Sequence, residues 1–297
     1  MNARFIIIGI LFAFLWSSAS TATKLALESA QPLTIAVIRF FMAGTLLLVL
    51  SHGILRKRLP VGGEWKMLSI YGLLNVSIYL GLYVIAMQYL GAGIGSLAIA
   101  VNPLFISLLA ALFFRYRITG TAVFCLLICS AGVLLAAWPM LQNSYATPLG
   151  MLLLLLSMSM YSMAAIYYTR QNWQGLDILS INGWHTLLGG IFLLPLALGA
   201  YSGEKNHFDH AFWTGTLWLA VPVSIGAVQC WLYLLKKNTV AAAYWLYLCP
   251  VFGFLLAWLV LSEPITWHTI AGMLLVIGGL YISQRVKMNQ TAVASDK

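Results

Sequence analysis

The sequence predicts an all-α integral membrane protein: ten transmembrane helices arranged as two inverted five-helix repeats. Three observations carry that expectation. Of 297 residues, 62% are hydrophobic and only 8% charged, with a mean hydropathy of +0.91, whereas a soluble domain carries roughly a quarter charged residues. A chain so poor in charge cannot cover its own surface in water. The apolar residues fall in uninterrupted runs of spanning length. And one stretch is written twice: VNPLFISLLAALFFRYRIT at 101–119 and LCPVFGFLLAWLVLSEPIT at 248–266 share a Pro, the Phe two residues on, and a closing Ile-Thr.

The runs lie near 5–24, 33–52, 67–88, 94–114, 120–138, 149–168, 179–200, 212–234, 241–261 and 267–284. The first follows Arg4 and imitates a signal peptide, but its apolar stretch is long enough to span, and its removal would break the repeat. Barrel strands are excluded because the runs are too long and do not alternate apolar with polar residues. The loops are short and leave no room for a soluble domain. The polar tail 288–297 is expected to be disordered and cytoplasmic.

Lysine and arginine orient the chain. With the N-terminus in the cytoplasm, Arg4, Arg56, Lys57, Arg58, Lys66, Arg115, Arg117, Arg170, Lys236, Lys237, Arg285, Lys287 and Lys297 lie inside, while Lys24 and Lys205 lie outside and Arg39 falls within a span. Both termini are then cytoplasmic. The basic residues cluster between apolar runs, not along one face, so the formal charge of +9 does not indicate a nucleic-acid partner.

Pro103 and Pro250 are 147 positions apart (250 − 103), and the same offset pairs Gly132 with Gly279. An offset of 145 pairs Trp16 with Tyr161 and Gly44 with Gly189. The chain thus divides into repeats at 1–142 and 143–287, followed by the tail. Five spans per repeat is odd, so the second enters the membrane upside down. Equivalent loops then face opposite sides, and their charges differ accordingly: RYR inside against SEP outside, ILRKRLP against GEKNHFDH. Inverted repeats are the architecture of alternating-access carriers.

FLWSSASTATK, PLTIAVIRF, YVIAMQYLGAG and CPVFGFLLAWLVLSEPITWHTIAGMLLVIGGLYI together cover most of the chain's landmarks. In this order they resemble the drug/metabolite transporter superfamily, specifically its bacterial ten-helix members with two EamA domains. The sequence departs from that pattern at Arg-Tyr-Arg, where many relatives have Gly-Glu-Arg, and at His268, where Gln is frequent. The resemblance implies a bacterial inner-membrane efflux protein for amino acids, other small metabolites or drug-like compounds. Arg39 is the one strong base well inside a span, so the substrate expected is neutral, zwitterionic or amphipathic, not polyanionic.

Candidate substrate-binding residues are Trp16, Ser20, Arg39, Asn75, Tyr79, Tyr83, Tyr161, Gln229, Tyr244 and Tyr247. Arg39 either binds a substrate carboxylate, pairs with Glu28, or snorkels to headgroups and ties helices together. Asn75, Tyr79 and Tyr83 are spaced by four and share a helical face, which either lines a pathway or bonds neighbouring helices. Aromatics equally serve as interface anchors. His185 either carries protons or hydrogen-bonds within the bundle.

Pro103 and Pro250, in the early turns of their helices, are gating candidates. Each frees the carbonyl four residues back, which binds substrate, marks a flex point, or accompanies a static kink. Glu263 reads as an external helix-end residue, with Thr266 capping the next helix.

Cys125, Cys129, Cys230 and Cys249 lie in apolar runs and read as small buried hydrophobes. No metal or cofactor is expected. The expected partners are a small-molecule substrate and membrane lipid, with no oligomeric state specified. The alternative to a carrier is a membrane-embedded enzyme or a channel. The sequence contains no His-Glu-x-x-His, phosphate-binding glycine loop, selectivity filter or ring of charges.

Overall fold

The structure, a computed structural model, describes residues 3–114, 120–142, 146–237 and 245–295. The protein is all-α. Its helices are α1 (Ala3–Leu27), α2 (Pro32–Leu48), α3 (Glu64–Gly72), α4 (Tyr79–Ala86), α5 (Ala92–Phe114) and α6 (Gly120–Gln142), then α7 (Pro148–Arg170), α8 (Ile178–Ala200), α9 (His210–Trp218), α10 (Val228–Lys237), α11 (Leu248–Leu261) and α12 (Trp267–Ser295). Among the described residues the only extended pairing is an isolated antiparallel bridge between Leu90 and Ala146.

Each expected run lies on helix, the ninth beginning outside the described residues. Among those residues, six continuous helical spans are long and apolar enough to cross a membrane: Ala3–Leu27, Pro32–Ile54, Glu64–Ala86, Pro148–Arg170, Ile178–Ala200 and His210–Trp231. Three of them contain π-helical stretches, at Val49–Ile54, Leu73–Ile78 and Leu219–Ala227. A π stretch widens the turn and releases the i→i−4 pattern, and such stretches concentrate at functional sites.

The helix starts follow capping chemistry. Pro32 opens α2, where a missing N–H costs nothing. The Asp177 and Asp209 carboxylates accept from Leu179 and Phe212 at the starts of α8 and α9. Thr266 caps α12 as expected, its hydroxyl accepting from the Thr269 amide at 3.3 Å.

Three expectations change. The polar tail, expected to be disordered from residue 288, continues α12 to Ser295, because adding residues to an existing helix avoids a new nucleation step. Pro103 lies near the middle of α5 and not in its early turns, since that helix begins at Ala92. Pro250 does occupy the first turn of α11.

Glu263 is the third correction. Instead of ending its helix in solvent it is 4% exposed, and its carboxylate accepts from the backbone N–H groups of Ala92 at 2.6 Å and Gly93 at 3.2 Å. A helix N-terminus has free donors and a positive dipole end, and Glu263 satisfies both for α5.

The helices form two compact units, Met1–Thr21 with Leu90–Pro148 and Gly226–Lys297, and Ala22–Tyr89 with Leu149–Ile225. In the first unit α6 packs on α12, and α5 on α11. A Cβ at Gly132 would meet the Gly272 carbonyl oxygen at 2.7 Å, and one at Gly279 the Cys125 carbonyl oxygen at 3.3 Å. The Cys129 thiol lies 3.6 Å from the Val276 carbonyl oxygen. Since 132 + 147 = 279, 125 + 147 = 272 and 129 + 147 = 276, these are the contacts of a local two-fold axis: i meets j where the equivalent of j meets the equivalent of i. The contact positions run in opposite directions along α6 and α12, so the helices are antiparallel and the axis lies across them.

In the second unit α2 packs on α8, again antiparallel, through Gly44 on Leu187, Gly190 on Phe40 and Gly183 on Leu47 and Leu48. Lipid tails give apolar helices no hydrophobic reason to associate, so close backbone approach at small residues supplies the attraction.

Candidate functional site

In the second unit, polar side chains from four spans converge. Arg39, on α2, is 6% exposed. Its Nε and Nη2 both donate to the Ser224 hydroxyl, at 3.4 and 3.3 Å, the long end of the hydrogen-bond range. Ser224 lies in the Leu219–Ala227 π stretch, where its hydroxyl donates to the Leu219 carbonyl at 2.8 Å. The guanidinium also lies 5.6 Å from the Phe40 ring centroid, and its field reaches Tyr79 and Tyr83.

Tyr79 opens α4 directly after the Leu73–Ile78 π stretch. Its ring lies 5.0 Å from that of Tyr161 on α7 and 6.4 Å from that of Tyr83. Its carbonyl accepts from the Ser157 hydroxyl at 3.0 Å, which fastens α4 to α7. Tyr79 and Tyr83 are buried and Tyr161 half-buried.

Among the described residues Arg39 has no carboxylate partner. Of the seven acidic residues, Glu64 is held by Arg58 and Asp177 by Lys57. Asp209 accepts from Ser29 and Phe212, and Glu263 caps α5. Glu28 and Glu204 are exposed, and Asp296 lies outside the described residues. The possible pairing of Arg39 with Glu28 is replaced by Ser224.

Asn75 does not share the face of Tyr79 and Tyr83. It lies within the Leu73–Ile78 π stretch and meets α8, where its amide lies 3.2 Å from His185 Nε2. His185 Nδ1 is 2.8 Å from the Ile181 carbonyl, so Nδ1 carries the proton and Nε2 accepts from Asn75. Tyr71 covers the ring at 4.5 Å. A neutral imidazole satisfied at both nitrogens joins helices, which is the bundle-bonding reading of His185.

The remaining candidates that the structure describes lie in the first unit. Trp16 packs beside Phe12 at 5.6 Å, in the apolar cluster that includes Trp231 and Trp245. Ser20 is fully buried and bonded to the Ser96 hydroxyl at 3.0 Å, joining α1 to α5. Gln229 has a buried Nε2 with no hydrogen-bond partner among the described residues. Tyr247 lies in a single 3-10 turn, Trp245–Tyr247, and Tyr244 falls outside the described residues. Sequence reasoning missed Ser224 and Ser157. Their only local signal was a hydroxyl in an apolar run, shared with many helix serines.

Among the described residues no three His, Cys, Asp or Glu side chains converge as metal ligands. The arrangement offers a buried cation, tyrosine rings and hydroxyls. That is equipment for holding a small organic molecule.

Known proteins resemble the chain throughout. The profile of the EamA-like transporter family matches residues 3–138 and again residues 148–284. An uncharacterized transporter of Archaeoglobus fulgidus is 31% identical over 295 residues, covering 95% of this chain and 99% of its own. Protein PecM of Dickeya dadantii is 26% identical over 286 residues, covering 93% and 92%. A solved crystal structure aligns over 98% of this chain and 99% of its own with a TM-score of 0.68 at 16% identity, a likeness of fold.

Proposed function

This chain belongs to the EamA-like transporter family, and on that premise we propose that it is a secondary carrier exporting small metabolites, amino acids or amphipathic compounds among them, by alternating access across a bacterial inner membrane. That it is a multi-pass membrane transporter follows from the membership and the apolar helices. The alternating-access mechanism rests on one observation, the two-fold contact between α6 and α12. Antiparallel helices that exchange equivalent contacts have their axis across the helices, hence in the membrane plane. This is the symmetry of carriers whose halves were inserted in opposite senses and exchange roles between the two faces.

The basic loops place both termini in the cytoplasm in this reading. The proposed pathway residues are Arg39, Tyr79, Tyr83, Tyr161, Trp16, Ser20 and Gln229, with Pro103 and Pro250 as proposed gating positions. Tyr244, Tyr247 and Asn75 complete the proposed set.

Counterflow in proteoliposomes tests the mechanism. A carrier loaded with unlabelled solute accelerates uptake of the labelled form, whereas a channel or enzyme shows no trans-stimulation. Absence of exchange for every amino acid, amine and small metabolite offered would remove the carrier assignment.

A further inference from the structure

A guanidinium inside a membrane span costs roughly 2.5–3.5 kcal/mol on insertion scales, and a buried charge normally carries a counter-charge. Arg39 has none. Every acidic residue in the described chain is engaged elsewhere or exposed. Its contact with Ser224 places two donors on one hydroxyl at long range and leaves Nη1 without a partner among the described residues.

The hydroxyl of Tyr79, which feels the Arg39 charge, and that of Tyr161, whose ring packs on Tyr79, are also unused. Among the described residues, neither Tyr79 nor Tyr161 donates or accepts a hydrogen bond through its phenol oxygen. Ser224 and Tyr79 both sit on or next to π stretches, in two different spans.

We propose that Arg39, with the Tyr79 and Tyr161 hydroxyls, forms a subsite for a single carboxylate, so that the carried solute is a monocarboxylate whose apolar part lies against the tyrosine rings. This rests on the carrier reading and narrows it. A carboxylate accepts two parallel bonds from a guanidinium fork, and its remaining lone pairs suit phenol donors. The anion neutralises Arg39, so the loaded site is uncharged as a whole. A phosphate would bring a second charge that one guanidinium does not balance, and an amine would add a like charge.

The test uses the full chain in proteoliposomes, with α-amino acids, α-keto acids and arylacetates each offered beside its primary amide. Counterflow and ligand-induced shifts in melting temperature are both read. The subsite predicts that an acid exchanges at least about tenfold better than its amide, the order of a charge-assisted hydrogen bond. Arg39→Gln brings that ratio towards one. Tyr161→Phe, which keeps the ring and its packing, lowers the ratio several-fold and covers the case in which Arg39→Gln fails to fold.

Equal exchange of acids and amides by the unmodified protein overturns the subsite and leaves the carrier standing. So does a preference that survives both substitutions. Absence of any exchange or thermal shift across the panel overturns the carrier reading and the subsite with it.

Discussion

Glu263 shows how much one side chain depends on what folds against it. In sequence it ends an apolar run and faces a loop. In the structure its carboxylate is buried and supplies the first turn of α5 with acceptors for two backbone amides. Glu263→Ala leaves those donors unsatisfied and is expected to lower stability by about 0.5–2 kcal/mol. Glu263→Gln, which keeps an acceptor, loses less. Thermal unfolding in detergent measures both, and equal melting temperatures for the alanine variant and the unmodified protein would dismiss the cap. Arg39 was legible as unusual because a charge in an apolar run is rare. Its partner Ser224, 185 residues away, was not.

At the scale of elements, α6 and α12 meet where Gly132 and Gly272 let backbones touch. Gly272→Val would drive a branched side chain into the Gly132 carbonyl and Ala136, for an overpacking cost of about 1–3 kcal/mol. Gly199→Val, at a position with open space, serves as the control. A variant at Gly272 as stable as this control removes the close contact from the account.

The start of α9 carries a pH dependence. The Phe212 backbone N–H, then the Ser29 hydroxyl, hold the Asp209 carboxyl below the usual carboxylate range. A depressed folded value contributes stability above the ordinary pKa and loses it as pH falls through the folded one. Asp209→Asn keeps a capping acceptor without a titrating proton. The expected result is a shallower loss of melting temperature on acidification below about pH 4; an unchanged slope would argue against the contribution. Helix positions were readable because spanning length and hydropathy are local sums. The π stretches were not. They explain why four-residue spacing failed to keep Asn75 with Tyr79.

The whole molecule divides into two compact units, each drawing on both halves of the chain, with the family profile matched twice along it. The insertion sense belongs to this scale, since it follows from the summed loop charges. Lys205→Cys and Lys66→Cys, both at exposed positions, test it with a membrane-impermeant maleimide. Intact cells should label the first, and the second only after permeabilisation; the reverse pattern inverts the topology.

By itself the sequence determined the membrane class, the places of the helices and the family, because apolar length, loop charge and motif order are properties of neighbouring residues. Only the tertiary structure decided that Glu263 caps a distant helix, that His185 is neutral and bonded, and that Arg39 stands among tyrosines with no acid beside it among the described residues. Those outcomes depend on which side chains meet across 110 to 185 residues of chain. In an apolar interior each polar group takes whatever partner the packing brings, and no local pattern names that partner in advance.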